Sequence, residues 1–215
     1  MRKEVFAEDE YYHVYSRRVD RKELFLDDED RTRFVHTLYV ANNFQRIPQR
    51  FNVLRMTPQE SLVPRSPLVE VAAACLMPNH YHLLIRPMET HGVSLLLHKV
   101  GVSYTKYFNM RYDRSGRLFE STFKAKHIER DAYAMYLTKY IHFNPFSLYQ
   151  RESEKGGREQ LISALEQYPW STFSDYIGGK SRFAPLVSLS FRDKILGMDS
   201  IAYRSYVREF ADFSM

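Results

Sequence analysis

Two apolar, strand-forming runs that only two residues separate limit the folds open to this chain. Leu68–Met77 and His80–Pro87 are rich in residues that favour β-structure, and Pro78-Asn79 between them is typical of a tight turn. Strands joined by so short a connection pair as an antiparallel hairpin. We therefore expect an antiparallel sheet in which the second of these strands, His80–Pro87, is central.

Two histidines lie on the second of these strands, within the sequence Met77-Pro-Asn-His-Tyr-His-Leu-Leu-Ile85. Side chains two residues apart on a strand point to the same face, so His80 and His82 project together and Tyr81 projects to the other side. Two adjacent imidazoles on a rigid strand supply half of a transition-metal or zinc site. The alternative is a pair of strand histidines that are exposed or hydrogen-bonded and bind nothing.

The segments around the hairpin alternate between strand and helix patterns. Glu10–Arg17 and Phe123–Ile128 are rich in β-forming residues, whereas Asp27–Asn43 and Val93–Tyr112 carry apolar residues at helical spacing. The order β-α-β-β-α-β predicts a ferredoxin-like, α+β fold whose antiparallel sheet carries its helices on one face. Residues 44–67 are polar, basic and proline-rich, which predicts a long loop.

A further helix is predicted over Asp131–Asn144. Tyr136, Tyr140 and Asn144 follow one another at intervals of four residues and therefore share a face. Tyrosine can act as a covalent nucleophile, and the spacing alone does not distinguish Tyr140 from Tyr136. Asn144 offers a carbonyl oxygen as a third metal ligand. Because the residue before a proline avoids the helical region, Pro145 predicts that the helix ends near Asn144.

The pattern is weaker towards the C-terminus. Glu152–Gln160 is charged and contains two glycines, which predicts an exposed linker, and Leu161–Gln167 predicts a short helix. Asp199–Phe213 has the spacing of an amphipathic helix that packs back onto the molecule. We expect a mostly helical C-terminal extension, residues 148–215, that packs on a domain formed by residues 1–147.

Charge is compatible with a nucleic-acid partner but does not require one, since the net charge is +5 and the pI about 9.2. One basic group is interleaved with aromatic residues and consists of Lys106, Arg111, Arg114, Arg117, Lys124 and Lys126. Another, in the predicted loop, consists of Arg46, Arg50, Arg55 and Arg65. Such residues can neutralise phosphates while rings stack on bases. The alternative is a solvated helix face over an aromatic core.

The single cysteine, Cys75, excludes an internal disulfide and favours a reducing, cytoplasmic location. It lies in an apolar run and is expected to be a small buried core residue rather than a nucleophile. No apolar run reaches the length of about 18 residues that a membrane span needs, and residues 1–10 lack the apolar core of a signal peptide. No membrane partner is expected.

Several segments together resemble one protein family. Met77–Ile85 is similar to a His-hydrophobic-His motif, and Lys139–Pro145 to a helix in which a nucleophilic tyrosine precedes a Gln or Asn metal ligand by four residues. Further similar segments occur in the same order: Tyr12–Arg17, Glu23–Phe25, Asp28–Phe34, Tyr104–Asn109, Arg114–Phe119 and Tyr168–Phe173. The chain thus resembles the Y1 transposases of the HUH class, IS200/IS605-like proteins, and most of all the REP-associated tyrosine transposases.

This resemblance implies a metal-dependent enzyme that cleaves and transfers single-stranded DNA at hairpin-flanked or REP-like sites. Tyr140 would attack a phosphodiester to form a 5′-phosphotyrosine, and a 3′ hydroxyl would later resolve it. His80, His82 and Asn144 would bind Mg²⁺ or Mn²⁺. The expected DNA contacts are Arg17, Lys106, Arg114, Arg117, Lys124 and Lys126. Residues 1–147 would be the catalytic domain, and the protein would act as a monomer or a homodimer.

One departure from the family pattern lies between Phe119 and Phe123. The family often has Gly-Arg there, whereas this chain has Ser121-Thr122. The substitution removes a phosphate-binding guanidinium from the position, which affects the grip on DNA rather than the chemistry.

Three other functions are compatible with parts of this pattern. A relaxase or replication initiator would use the same chemistry. A non-catalytic nucleic-acid-binding module could use a ferredoxin-like sheet without cleavage. A metal-dependent phosphoesterase that uses water would keep the histidines but would not need Tyr140. His142 also lies on the tyrosine helix, but two residues beyond Tyr140 it faces elsewhere.

Overall fold

A computed structural model describes residues 5–44, 66–129 and 131–213 of the chain. Within these residues the strands are β1 Tyr12–Arg17, β2 Val69–Met77, β3 His80–Pro87 and β4 Lys124–His127. The helices are α1 Asp28–Ala41, α2 Gly92–Arg111, α3 Asp131–Phe143, α4 Phe146–Gln167, the single turn α5 Phe173–Tyr176, and α6 Ser200–Phe213. Most of the predicted basic loop, and with it Arg46, Arg50, Arg55 and Arg65, lies outside the described residues.

The strands form one antiparallel sheet in the order β2-β3-β1-β4. Strands β1 and β3 are therefore internal, and the two β-α-β halves interlock as the ferredoxin-like order requires. The predicted α+β, ferredoxin-like fold is confirmed.

The β2–β3 hairpin has the predicted two-residue connection, Pro78-Asn79. The turn is held by the segment that follows β1: the carbonyl of Pro78 accepts hydrogen bonds from the backbone N–H groups of Leu24 and Phe25, at 2.6 and 3.1 Å. The carbonyl of Asn79 accepts one from the N–H of Arg18 at 3.0 Å. Because these contacts fix the turn, they also fix which face each residue of β3 occupies.

One face of the sheet packs against α1 and α2 through aromatic side chains. Tyr81, near the start of β3, lies 5.0 Å from Phe34 of α1 between ring centroids, and Phe34 lies 5.1 Å from Tyr104 of α2. Asp27 caps the start of α1, since its side chain accepts a hydrogen bond from the N–H of Asp30. These aromatic side chains therefore pack against the face of the hairpin that is opposite to His80 and His82.

The opposite face of the sheet carries α3. The buried stripe of α3 includes Ala134, Leu137 and Ile141, each no more than 3 % exposed. The helix ends at Phe143, next to the predicted end at Asn144. Helices thus cover both faces of the sheet. Helices α1 and α2 lie on the face of Tyr81, and α3, which carries Tyr140, lies on the face of His80 and His82.

The predicted linker over Glu152–Gln160 is wrong, because α4 is one continuous helix, Phe146–Gln167. The two glycines each cost about 1 kcal/mol relative to alanine, which weakens a helix without ending it. The predicted short helix over 161–167 is the last part of α4. There Leu161, Ile162 and Leu165 are at most 2 % exposed, and this packing stabilises a helix that local propensity does not favour.

Residues 168–188 run along the outer edge of β2 and hydrogen-bond to it. The carbonyl of Trp170 accepts from the N–H of Leu76 at 2.8 Å, and the N–H of Thr172 donates to the carbonyl of Ala74 at 2.9 Å. Further along, the hydroxyl of Tyr176 donates to the carbonyl of Ala72 at 2.9 Å. This segment therefore covers a strand edge that would otherwise expose unpaired backbone groups.

Across the residues that the structure describes, none of the helices is both long and apolar enough to cross a membrane.

Candidate functional site

Three neighbouring strands bring polar side chains to the α3 face of the sheet. In the register of β1 with β3, Tyr15 pairs with His82 and Arg17 with His80. In the register of β1 with β4, Tyr15 also pairs with Lys124. Directly paired residues point to the same face, so β-sheet geometry alone gathers these five side chains.

A cavity of about 330 Å³ opens over this row of side chains. Its lining residues are His13, Tyr15, Ser16, Arg17, His80, His82, Glu120, Ser121, Lys124, Lys126, Tyr133 and Tyr140. The structure thus brings the predicted residues His80, His82 and Tyr140 together, and with them three of the predicted DNA contacts, Arg17, Lys124 and Lys126.

The other predicted DNA contacts lie elsewhere. Lys106 and Arg117 line a second groove, which adjoins the cavity at Glu120 and Ser121. Arg114 donates a hydrogen bond to the side-chain oxygen of Asn109 at 2.8 Å. These three cations are therefore outside the cavity that holds the histidines and Tyr140.

Tyr140 reaches the cavity from α3 and is 40 % exposed. Its ring lies edge-on to His82, with 5.6 Å between centroids, and edge-on to His13 at 6.5 Å. Tyr136, one turn earlier, does not line this cavity and contacts the rings of Tyr133 and Tyr140 instead. The structure thereby distinguishes two tyrosines that the sequence spacing leaves equivalent.

Asn144 follows the last residue of α3 and is partly buried. Its Nδ2 donates to the backbone carbonyl of Tyr140 at 2.9 Å, and its side chain lies beside His80, whose pKa it raises against the larger lowering by burial. Because Nδ2 caps the helix end, the amide is held in one orientation beside the imidazole. Asn144 therefore lies next to one of its two predicted co-ligands.

His13, on β1, is a site residue that the sequence interpretation missed. Its Nε2 lies 2.8 Å from Nδ1 of His82, both rings are about 5–6 % exposed, and the rings are stacked with centroids 5.1 Å apart. A signal was present: His13, Tyr15 and Arg17 recur at every second position, the period that places polar side chains on one face of a strand.

Each of these histidines is neutral at pH 7. Burial is the main cause, and it lowers the pKa of His82 to about 2, with further lowering by His13, His80 and Arg17. Burial and then Arg17 lower the pKa of His80 to about 4. Burial and then Lys126 lower the pKa of His13 to about 4. Neutral imidazoles keep a lone pair, which is the form that binds metals.

The ring nitrogens of His80 and His82 differ in their partners. Nδ1 of His80 lies 2.6 Å from Oδ1 of Asn79, an acceptor, so Nδ1 carries the proton and Nε2 keeps its lone pair. Nε2 of His82 is buried and has no hydrogen-bond partner among the described residues. A buried polar atom without a partner costs about 1–3 kcal/mol, which a ligand at that atom would offset.

Cations dominate the charged lining of the cavity. Lys126 lies 4.3 Å from the ring centroid of Tyr133, and Lys124 lies 5.9 Å from that of Tyr15. Ser121 presents a small polar side chain to the same cavity. Arg17, Lys124 and Lys126 against Glu120 leave an excess of positive charge, which suits a phosphate backbone.

His142 and Cys75 lie outside the cavity. The ring of His142 is 1 % exposed, with Nδ1 2.7 Å from the hydroxyl of Tyr203 and Nε2 2.8 Å from that of Thr172. Cys75 is fully buried, and burial raises the pKa of its thiol well above the usual value. Both residues are therefore structural, as the sequence predicts for Cys75.

In the described part of the chain, no group of three or more histidine, cysteine, aspartate and glutamate side chains is arranged to hold a metal ion. The predicted ligand set contains only two residues of these types. Its third donor is an asparagine amide oxygen, so the set depends on Asn144 beside His80.

Comparisons with known proteins give a family match and a fold match. Residues 64–144, which include the hairpin, α2, β4 and α3 up to Asn144, match the family model described as IS200-like transposase. No curated protein matches the chain. A solved structure of a REP-associated tyrosine transposase bound to a REP hairpin has 12 % sequence identity and a TM-score of 0.53, over 82 % of this chain and 84 % of that chain.

A bacterial tRNA(His) guanylyltransferase-like protein in complex with ATP is also similar, with 10 % identity and a TM-score of 0.40 over 97 % of this chain and 93 % of that chain. That similarity is too low to support an argument. The likeness to the tyrosine transposase is a likeness of fold.

Proposed function

Because residues 64–144 match the family model of IS200-like transposases, we propose that this chain is a Y1 transposase that cleaves and rejoins single-stranded DNA through Tyr140. One observation carries the proposal: Tyr140, three neutral histidines and three cations line a single cavity. We further propose that the chain uses residues 1–147 as its catalytic domain and works in the cytoplasm, which the single Cys75 favours.

The chemistry that we propose for Tyr140 is a pair of exchanges at phosphorus. Its phenolic oxygen attacks a phosphodiester, so that a tyrosine–phosphorus bond forms, the bond to the 3′ oxygen breaks, and a 3′ hydroxyl leaves. A 3′ hydroxyl then attacks the phosphotyrosine, which restores a phosphodiester and releases the tyrosine. The number of phosphodiester bonds is conserved, so no nucleotide cofactor is needed.

We propose that His80, His82 and Asn144 bind a divalent cation, Mg²⁺ or Mn²⁺. A cation at that position would polarise the scissile phosphate as a Lewis acid. Three groups fit this role: Nε2 of His82, which has no hydrogen-bond partner among the described residues, Nε2 of His80, which keeps a lone pair, and the adjacent amide of Asn144. Nitrogen and oxygen donors in this mixture suit such metals.

The hydrogen bond between His13 and His82 fits the same role under one arrangement of protons. Only one of the two facing nitrogens can carry a proton when both rings are neutral. If Nδ1 of His82 donates to Nε2 of His13, then Nε2 of His82 keeps its lone pair and remains available to a ligand. His13 is then a positioning residue that sets the tautomer and the orientation of His82.

The proposed substrate is single-stranded DNA next to a hairpin. Arg17, Lys124 and Lys126 would neutralise phosphates beside the scissile bond. The similar tyrosine transposase was solved with a REP hairpin, and a hairpin-flanked site is our proposal for this chain as well. Since α3 packs on β2 and β3 of its own chain, we propose that one copy supplies the whole set of site residues, whether it acts as a monomer or a homodimer.

The test is a denaturing gel of the protein with labelled single-stranded DNA hairpins from its own genome and Mn²⁺. We expect a metal-dependent covalent band in the wild type and none in Tyr140→Phe, with DNA binding retained in both. Tyr136→Phe is the matched control and should keep the band. Cleavage without any adduct would indicate hydrolysis by water, and binding without cleavage or adduct would indicate a non-catalytic module.

A further inference from the structure

Three tyrosines form a continuous row along the outer side of α3. The rings of Tyr133 and Tyr136 have centroids 6.3 Å apart with 25° between their planes, and those of Tyr136 and Tyr140 are also 6.3 Å apart with 18° between planes. The positions i, i+3 and i+7 place them on one side of the helix. We refer to these three residues as the tyrosine ladder.

The middle of the ladder is unusually open to solvent for an aromatic side chain. Tyr136 is 49 % exposed and Tyr140 is 40 % exposed, while Ala134 and Leu137 of the same helix are at most 3 % exposed. The buried stripe that holds α3 on the sheet is therefore separate from the ladder. Packing of the helix does not account for Tyr136.

The ladder continues from the candidate site. Tyr140 and Tyr133 both line the cavity, whereas Tyr136 lies between them and outside it. Lys126 lies 4.3 Å from the ring centroid of Tyr133, so the ladder begins beside a cation that can pair with phosphate. From Tyr133 to Tyr140 the helix rises about 10 Å, which is long enough for a few unpaired nucleotides.

We propose that the tyrosine ladder is a stacking platform for unpaired bases next to the phosphate that Tyr140 attacks. The inference rests on the proposed single-stranded DNA substrate and adds a binding site for its bases. Rows of exposed aromatic rings beside cations bind single strands because every base has a π-face. Tyr136 is the position at which this role can be separated from catalysis, since it lies outside the cavity.

The test measures binding alone, with all variants built on Tyr140→Phe so that no covalent adduct forms. The probes are a fluorescent oligothymidylate of about twelve nucleotides and an abasic strand of equal length, which keeps the phosphates but has no bases. We expect Tyr136→Ala to weaken oligothymidylate binding about tenfold and to leave binding of the abasic strand unchanged. Tyr136→Trp should retain the affinity for oligothymidylate, because a ring is still present.

Matched controls separate stacking from other effects. Met110→Ala truncates another exposed side chain, 76 % exposed on α2, and should change neither affinity. If Tyr136→Ala lost affinity equally for both probes, or lost no affinity for oligothymidylate, the proposed stacking role of the tyrosine ladder would be wrong. A separate Tyr136→Ala variant that keeps Tyr140 can form the adduct. Slower adduct formation in that variant, with unchanged affinity for oligothymidylate, would also contradict the proposal, since Tyr136 would then only support the ring of Tyr140.

The two proposals fail in different assays. If the wild type forms the covalent adduct and Tyr136→Ala binds oligothymidylate normally, the ladder is wrong and the proposed function stands. If no adduct forms and the ring-dependent loss is still observed, the chain binds single strands on the ladder without the proposed chemistry.

Discussion

Nε2 of His13 lies 2.8 Å from Nδ1 of His82, so a histidine of β1 directly contacts a candidate metal ligand of β3. Two strands therefore determine how His82 presents its other ring nitrogen, which is buried and has no partner in the described residues. Hydrogen-bond partners of this kind orient metal ligands and raise their basicity.

We predict that His13→Leu weakens Mn²⁺ binding by about 10- to 100-fold, because the hydrogen bond that orients His82 is lost. His13→Gln should bind Mn²⁺ nearly as well as the wild type, since its side-chain oxygen can accept the same bond. Calorimetric titration of the protein alone with Mn²⁺ measures both affinities without reference to activity.

A histidine of the same sheet provides the control for this prediction. His127 lies on β4, outside the cavity, and pairs with Glu10. His127→Leu should leave the Mn²⁺ affinity unchanged. Equal affinities for His13→Leu and the wild type would contradict the role of His13.

Lys126 should contribute to DNA binding through charge. We predict that Lys126→Ala makes binding of oligothymidylate less salt-dependent, reducing the slope of log affinity against log salt by about 0.7. Lys139→Ala is the control, because Lys139 on α3 lies 4.3 Å from the ring centroid of Tyr206, away from the cavity. Fluorescence anisotropy over a range of NaCl concentrations measures the slopes, and equal slopes for the two variants would refute the assignment.

Two fully buried threonines differ in what their hydroxyls hold. Thr172 accepts from the N–H of Ala74 at 2.9 Å and lies 2.8 Å from Nε2 of His142, whereas Thr138 only donates to the carbonyl of Ala134 within its own helix. Thr172→Val should lower the free energy of unfolding by about 1–3 kcal/mol, because it leaves buried donors unpaired.

The isosteric change Thr138→Val should cost less than about 1 kcal/mol, since the carbonyl of Ala134 keeps its helical partner. Urea denaturation measures both values. A similar loss in the free energy of unfolding for both variants would show that the packing of β2, α3 and the C-terminal segment does not depend on the hydroxyl of Thr172.

Acid should destabilise the protein partly through His142. Burial lowers the pKa of this residue from 6.5 to about 3, so in acid the unfolded chain binds a proton that the folded chain does not. The contribution to stability is complete above pH 6.5 and is lost as the pH falls towards 3, at about 1.4 kcal/mol per pH unit.

The variant His142→Gln should therefore be less stable than the wild type near neutral pH but show a shallower loss of stability in acid. Urea denaturation at several pH values between 7 and 4 gives both slopes. His13, His80 and His82 act in the same direction and are unchanged in the variant, so the difference in slope belongs to His142. Identical slopes would contradict its neutral, buried state.

Periodicity predicts much of the fold and the candidate site. The period of two in the hairpin places His80 and His82 on one face and Tyr81 on the other, and the structure has this arrangement. The helical period places Tyr140 and Asn144 on one side of the helix predicted over Asp131–Asn144, and in the structure Asn144 directly follows that helix and bonds back to Tyr140. Local patterns suffice here because each pair lies on a single element.

Contacts between distant segments are what the sequence does not reveal. The meeting of His13 with His82 depends on the register of β1 against β3, which no local pattern specifies. The continuity of α4 depends on the burial of Leu161 and Leu165, which outweighs the local effect of two glycines. In both cases contacts between residues distant in the sequence determine the local structure.

The length of the turn Pro78-Asn79 determines which residues of β3 point to each face of the sheet. One residue inserted there, with the strand pairing otherwise unchanged, would shift the residues of β3 by one position and exchange its faces. Tyr81 would then point into the cavity, and the imidazoles of His80 and His82 would enter the aromatic layer beneath α1. An insertion of two residues would leave His80 and His82 facing Tyr140, whereas an insertion of one residue would turn them away from it.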